Sequence, residues 1–108
     1  MTQQEKPDPL NNWLVYMIEA SDERLYTGIT NNMLRRWHAH MHTKQGAKFF
    51  RGRRPQRIQY IEGEHTRSSA SQREYAIKQL SRQEKLALIA QQSTDWHQHL
   101  SLPAAVEP

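Results

Sequence analysis

Trp13-Leu14-Val15-Tyr16-Met17-Ile18-Glu19, then Ala20-Ser21-Asp22-Glu23, then Arg24-Leu25-Tyr26-Thr27-Gly28-Ile29-Thr30 is the stretch from which the fold can be read. The first seven residues are rich in aromatic, β-branched and long apolar side chains, which suits a strand. Ala20 to Glu23 supplies turn chemistry, and Arg24 to Thr30 reads as the strand returning beside it. Tyr16 and Tyr26 stand at comparable places in the two strands, and basic sequence follows at once.

Asn31 and Asn32 are candidate N-caps for a helix over Met33–Thr43, with Met33, Leu34, Trp37 and Met41 as its apolar stripe. Gln45 to Pro55 contains Gly46, Gly52 and Pro55 and reads as a loop, broken at most by a short turn. Gln56 to Ile61 reads as a third strand with Ile58 and Tyr60 on one face, and Gly63 to Ser68 as a connection. A helix is expected from Ser69 to about Leu80, with Ala70, Arg73, Ile77 and Leu80 on neighbouring faces. Ser81-Arg82-Gln83-Glu84 is a capping box that opens a last helix, reaching about Gln92 and carrying Leu86, Leu88 and Ile89. No internal repeat is visible. The order β-β-α-β-α-α predicts an α+β domain, a small three-stranded antiparallel sheet flanked by helices, over residues 13–92. Residues 1–12 read as a disordered lead-in. Residues 93–108 read as a partly loose tail, in which Trp96 and Leu100 to Leu102 are placed to dock.

A chain of 108 residues suffices for one modest core. Its hydrophobic fraction of 36% and mean hydropathy of −0.95 are low for a fully packed chain. The net charge is +4 and the pI about 9.7, and the charges are segregated. From Arg24 to Ile61 there is no Asp or Glu, while Arg24, Arg35, Arg36, Lys44, Lys48, Arg51, Arg53, Arg54 and Arg57 are all basic. Such a run suits a phosphate backbone, although a solvated basic face has the same composition. The absence of cysteine excludes disulfides, thiolate zinc sites and a Cys nucleophile. No apolar leader or membrane-length stretch occurs, so a soluble cytoplasmic protein with no membrane partner is expected.

On a helix Arg36 and His40 are i, i+4 neighbours, projecting beside the apolar stripe at the edge of the helix–sheet contact. His38 and His42 form a second such pair. That helix has no acidic general base of the zinc-protease kind, so neither a structural nor a catalytic zinc is expected here. His65, His97 and His99 read as surface histidines. Glu74 stands one position from an apolar row, with Lys78 at i+4 as a ready partner.

Taken together these residues resemble the GIY-YIG nuclease domain, in particular its small single-domain bacterial subgroup. Leu14-Val15-Tyr16 aligns with the first tripeptide and Tyr26-Thr27-Gly28 with the second. Arg36 and His40 match the arginine and histidine of the following helix, and Glu74 matches the helix glutamate. The basic loop Gly46–Pro55 and Arg73-Glu74-Tyr75-Ala76-Ile77-Lys78 continue the likeness, which covers roughly Trp13 to Ala90. Leu14 in place of the first glycine and Thr27 in place of isoleucine depart from the pattern without removing a reacting group.

The resemblance implies a divalent-metal-dependent DNA endonuclease of low sequence specificity, acting in repair, recombination or DNA processing. Glu74 would hold Mg²⁺, with Mn²⁺ as a substitute. Tyr16 would act with the metal to activate water, its phenol made more acidic by Arg36 and the metal. Arg36 would hold the scissile phosphate, Tyr26 would position it, and His40 would assist proton transfer. Arg35, Lys48, Arg51, Arg53 and Arg54 would bind flanking phosphates. Single-stranded or branched DNA is the expected preference. The main alternative is a catalytically inactive DNA- or RNA-binding module. A stacking platform of Tyr16, Tyr26 and Tyr60, or a structural protein with a basic surface, would also fit the composition.

Overall fold

The computed structural model describes residues 12–42 and 46–92. The lead-in before Asn12 and the tail from Ser93, with Trp96, His97, His99 and Leu100 to Leu102, lie outside the described residues. Strands β1 (Trp13–Ala20), β2 (Leu25–Thr30) and β3 (Pro55–His65) form one antiparallel sheet in the order β2-β1-β3. Helix α1 (Met33–His42) follows β2, and α2 (Arg67–Lys78) and α3 (Arg82–Gln91) follow β3.

The central strand is buried on both faces, and its alternation divides the core in two. Tyr16 and Ile18 pack with Met33, Ile58 and Ile61, joined by Trp37 and Phe50. Val15 and Met17 point the other way, onto Tyr60, Ala70 and Ile77, joined by Leu88 and Ile89. The sheet is therefore sandwiched between α1 on one side and α2 with α3 on the other. Val15, Tyr16, Met17 and Ile18 are each 0% exposed. Each such side chain contributes roughly 1.5–3 kcal/mol of burial, so β1 ties both layers together.

The helix starts follow their caps. Asn32 Oδ1 accepts from the Arg35 amide at 3.0 Å and opens α1. The capping box expected at Ser81 is present, with Ser81 Oγ accepting from Glu84 N and Glu84 Oε1 from Ser81 N. A second box, Thr66 with Ser69, opens α2 at Arg67, two residues before the expected start.

The third strand departs from expectation. It runs on to His65, so Gly63 to His65 belong to the strand and not to the connection. Ile58 and Tyr60 lie on opposite faces, not on one. Ile18 pairs with Ile58 and Met17 with Tyr60, so one extra residue, Gln59, is inserted against β1. Such a bulge resets which face the following side chains occupy. Beyond it the Gln92 side chain donates to the Ile61 carbonyl and accepts from the Ile61 amide at 3.0 Å, covering this edge of the sheet.

Candidate active site

Tyr16 and Gly28 are directly opposed across β1 and β2, so both face α1. A Cβ at position 28 would fall 2.5 Å from Tyr16 Oη, 2.7 Å from its Cζ and 2.9 Å from Tyr26 Cε2. The glycine is thus what lets the Tyr16 phenol lie across β2 beside Tyr26, with ring centres 6.1 Å apart.

Helix α1 presents Met33, Trp37 and His40 to this space, an i, i+4, i+7 row. Leu34, expected in the apolar stripe, is 56% exposed, and His40 takes the inward place instead at 4%. The histidine is therefore inside the helix–sheet contact and not at its edge. Its Nε2 lies 2.8 Å from Tyr16 Oη. Its Nδ1 accepts from the Ala47 amide at 3.2 Å.

An amide N–H only donates, so Nδ1 carries no proton. Burial first, and the Arg36 guanidinium second, hold the His40 pKa down to about 4. The ring is neutral near pH 7, its proton is on Nε2, and the His40–Tyr16 bond runs from imidazole N–H to phenol oxygen.

Burial also raises the Tyr16 pKa, with Tyr26 adding to the rise; Arg36 pulls it down by hydrogen bonding and by charge. Arg36 thus acts in the direction expected from the sequence, but burial outweighs it. Tyr16 is a neutral phenol at neutral pH in the free protein.

The segment after α1 roofs this cluster. Gly46 lies so close to α1 that a Cβ there would come within 2.7 Å of His40 Cα and 2.8 Å of the Ala39 carbonyl. The 3-10 turn Lys48–Phe50 then sets Phe49 and Phe50 each 5.3 Å, ring to ring, from Tyr26, and Phe50 4.8 Å from His40.

Arg53 holds the roof in place. Its Nε bonds Asp22 Oδ2 at 2.8 Å, its Nη1 donates to the Phe49 carbonyl, and its guanidinium lies 4.5 Å from the Phe49 ring centre. Arg53, expected on a phosphate, is engaged within the protein. Arg35, Lys48, Arg51 and Arg54 are exposed. The apolar pair Phe49-Phe50 between Gly46 and Gly52 was the sequence signal for this roof.

Glu74 is on α2, in the row Ala70–Glu74–Ile77, whose two apolar members pack on the face of the sheet away from Tyr16. Its side chain is 23% exposed and its Oε2 is 3.2 Å from Lys78 Nζ, the i+4 partner expected from the sequence. Tyr16, Tyr26, Arg36 and His40 are brought together; Glu74 makes no described contact with them. Among the described residues no three His, Cys, Asp or Glu side chains converge as a metal-binding group.

A second polar cluster escaped the sequence reading. Glu62 accepts from Tyr60 at 2.6 Å and from Arg73 Nε at 3.1 Å, and is bonded to His65 at 2.7 Å; His65 in turn meets Ser69 at 2.8 Å. His65 is thus a half-buried joint between β3 and α2, not a surface histidine.

The model of the GIY-YIG catalytic domain matches residues 12–87. The chain belongs to the GIY-YIG family. A UPF0213 protein of Desulfotalea psychrophila is 48% identical over 77 residues, covering 71% of this chain and 70% of that one. Another, from Clostridium perfringens, is 46% identical over 79 residues, covering 73% and 84%. The solution NMR structure of a UPF0213 protein from Bacillus halodurans is 32% identical, covers 85% of this chain and 97% of that one, and superposes with a TM-score of 0.50. A GIY-YIG catalytic domain is an endonuclease domain, so nucleic acid is its substrate class. No helix among the described residues is long and apolar enough to cross a membrane.

Proposed function

We propose that this chain is a divalent-metal-dependent DNA endonuclease of low sequence specificity, acting in DNA repair, recombination or processing in the cytoplasm. The observation that carries the reading is the meeting of Tyr16, Tyr26, Arg36 and His40 in one cluster, for which Gly28 leaves the room.

The donor set for a metal is one carboxylate. Glu74 Oε2 is held by Lys78 at 3.2 Å. A single oxygen donor suits Mg²⁺, or Mn²⁺, which keeps most of its waters when bound by a protein. Bound by Glu74, the ion would supply positive charge to the phosphate that Arg36 holds.

The chain's own residues do the rest. Arg36 neutralises and holds the scissile phosphate. Tyr26 orients it. Tyr16, once ionised, takes the proton from the attacking water. His40 keeps its Nε2–H aimed at Tyr16 Oη, so it stabilises the phenolate and does not compete for the proton.

Exposed Arg35, Lys48, Arg51 and Arg54 supply flanking phosphate contacts, which position a strand without reading bases; Arg53 braces the roof. Tyr16 is 0% exposed, packed beneath the Phe49–Phe50 segment, so a substrate reaches it only where that packing opens. A flexible single strand or a branch point reaches such a group more readily than the stiff backbone of intact duplex.

The test is cleavage of labelled single-stranded, duplex and branched DNA with Mg²⁺, Mn²⁺ or EDTA, using the wild type, Tyr16→Phe and Glu74→Ala. Metal-dependent cutting abolished in both folded variants is the expected result. Binding without cutting under either metal would replace this reading with an inactive nucleic-acid-binding module. Cutting that survives in Glu74→Ala would remove Glu74 from the site.

A further inference from the structure

We propose that His38 and His42 form a surface chelate for a borderline divalent transition cation such as Zn²⁺ or Ni²⁺, separate from the hard-cation site at Glu74. The two lie one turn apart on α1, both exposed, while His40 between them turns inward to Tyr16. Their ring centres are 4.7 Å apart with the planes tilted by 48°. Two imidazoles on one ion, at nitrogen–metal distances of about 2.0–2.1 Å, keep their ring centres roughly 4.5–5.2 Å apart. The observed separation falls within that range.

The chemistry of the surroundings selects the ion. Imidazole favours Zn²⁺, Ni²⁺ and Cu²⁺ over Mg²⁺, which prefers oxygen. No Asp or Glu occurs between Arg24 and Ile61, so this stretch offers no carboxylate to attract a hard cation or to fill the remaining positions. Those positions stay open to water or to a phosphate oxygen. The ion would link the last two turns of α1, the helix that carries His40, and so stabilise the folded chain by binding it in preference to the unfolded one.

The measurement is a titration of the full, tag-free chain with Zn²⁺ or Ni²⁺ chloride under saturating Mg²⁺, followed by histidine side-chain NMR, calorimetry and thermal unfolding. One equivalent is expected to bind, to move the His38 and His42 signals, and to raise Tm. His38→Gln and His42→Gln, each at an exposed position, should separately weaken binding by roughly a hundredfold, because either leaves a single imidazole in place of a chelate. Unchanged affinity in both variants would overturn the proposal. So would a response confined to His40, His65, His97 or His99, or no binding at all. The DNA-cleavage reading is untouched by any of these results, since Glu74 takes no part in them.

Discussion

Nε2 of His40 and Oη of Tyr16 meet at 2.8 Å across the gap between α1 and β1, and the Ala47 amide on the far side of the imidazole fixes which atom gives the proton. The bond makes the histidine a donor to the tyrosine. His40 should therefore show the Nε2–H form in side-chain ¹⁵N spectra at pH 7, and should titrate only near pH 4. An Nδ1–H form would contradict the assignment.

The same depression couples His40 to stability. Between the unfolded value of 6.5 and about 4, the unfolded chain binds a proton that the folded chain refuses. Stability is therefore full above pH 6.5, falls as pH drops toward 4 and levels off below, by a total on the order of 3 kcal/mol. Denaturant unfolding across that range checks it, and in His40→Gln this part of the slope should vanish.

Gly28→Ala places a methyl group where Tyr16 Oη, Tyr16 Cζ and Tyr26 Cε2 already lie. The rings are wedged between strand and roof, so they yield only by moving apart. A destabilisation of about 1–3 kcal/mol is expected. Cleavage by the fraction that remains folded should fall further than that, because the two phenols lose their alignment. Unfolding midpoints and single-turnover rates separate the two effects.

The basic loop should divide by role. Arg51→Ala and Arg54→Ala, at exposed positions, should weaken DNA binding and each reduce the salt slope by about 1, with Tm unchanged. Arg53→Ala should lower Tm and slow cleavage instead, since its guanidinium joins Asp22 to the Phe49 segment. A salt titration of binding alongside thermal unfolding distinguishes the two patterns.

Thr27 sits in β2 at 3% exposure, and its Oγ1 lacks a hydrogen-bond partner. It faces Met17 on the side of the sheet away from Tyr16. Thr27→Val keeps the shape and removes the stranded hydroxyl, so it should stabilise the fold by about 1 kcal/mol with cleavage unaffected. Chemical denaturation measures this directly. A loss of activity would instead give the hydroxyl a role at the site.

The sequence by itself determined the order of elements, the two-stranded start and the capping box at Ser81, because turn residues, strand alternation and caps act over a few neighbours. Its resemblance to the GIY-YIG domain also brought Tyr16, Tyr26, Arg36 and His40 to notice, the helical period adding only that Arg36 and His40 share a face. Tertiary structure decided what those periods leave free. The bulge at Gln59, which sends Ile58 and Tyr60 to opposite faces, depends on how β3 pairs with β1. The turning of His40 inward in place of Leu34 depends on a phenol waiting across the gap. The diversion of Arg53 from phosphate to Asp22 and Phe49 depends on a hairpin turn 31 residues away in sequence. Burial, which makes Tyr16 harder to ionise despite Arg36, is a property of the whole packed domain and of no local stretch of its chain.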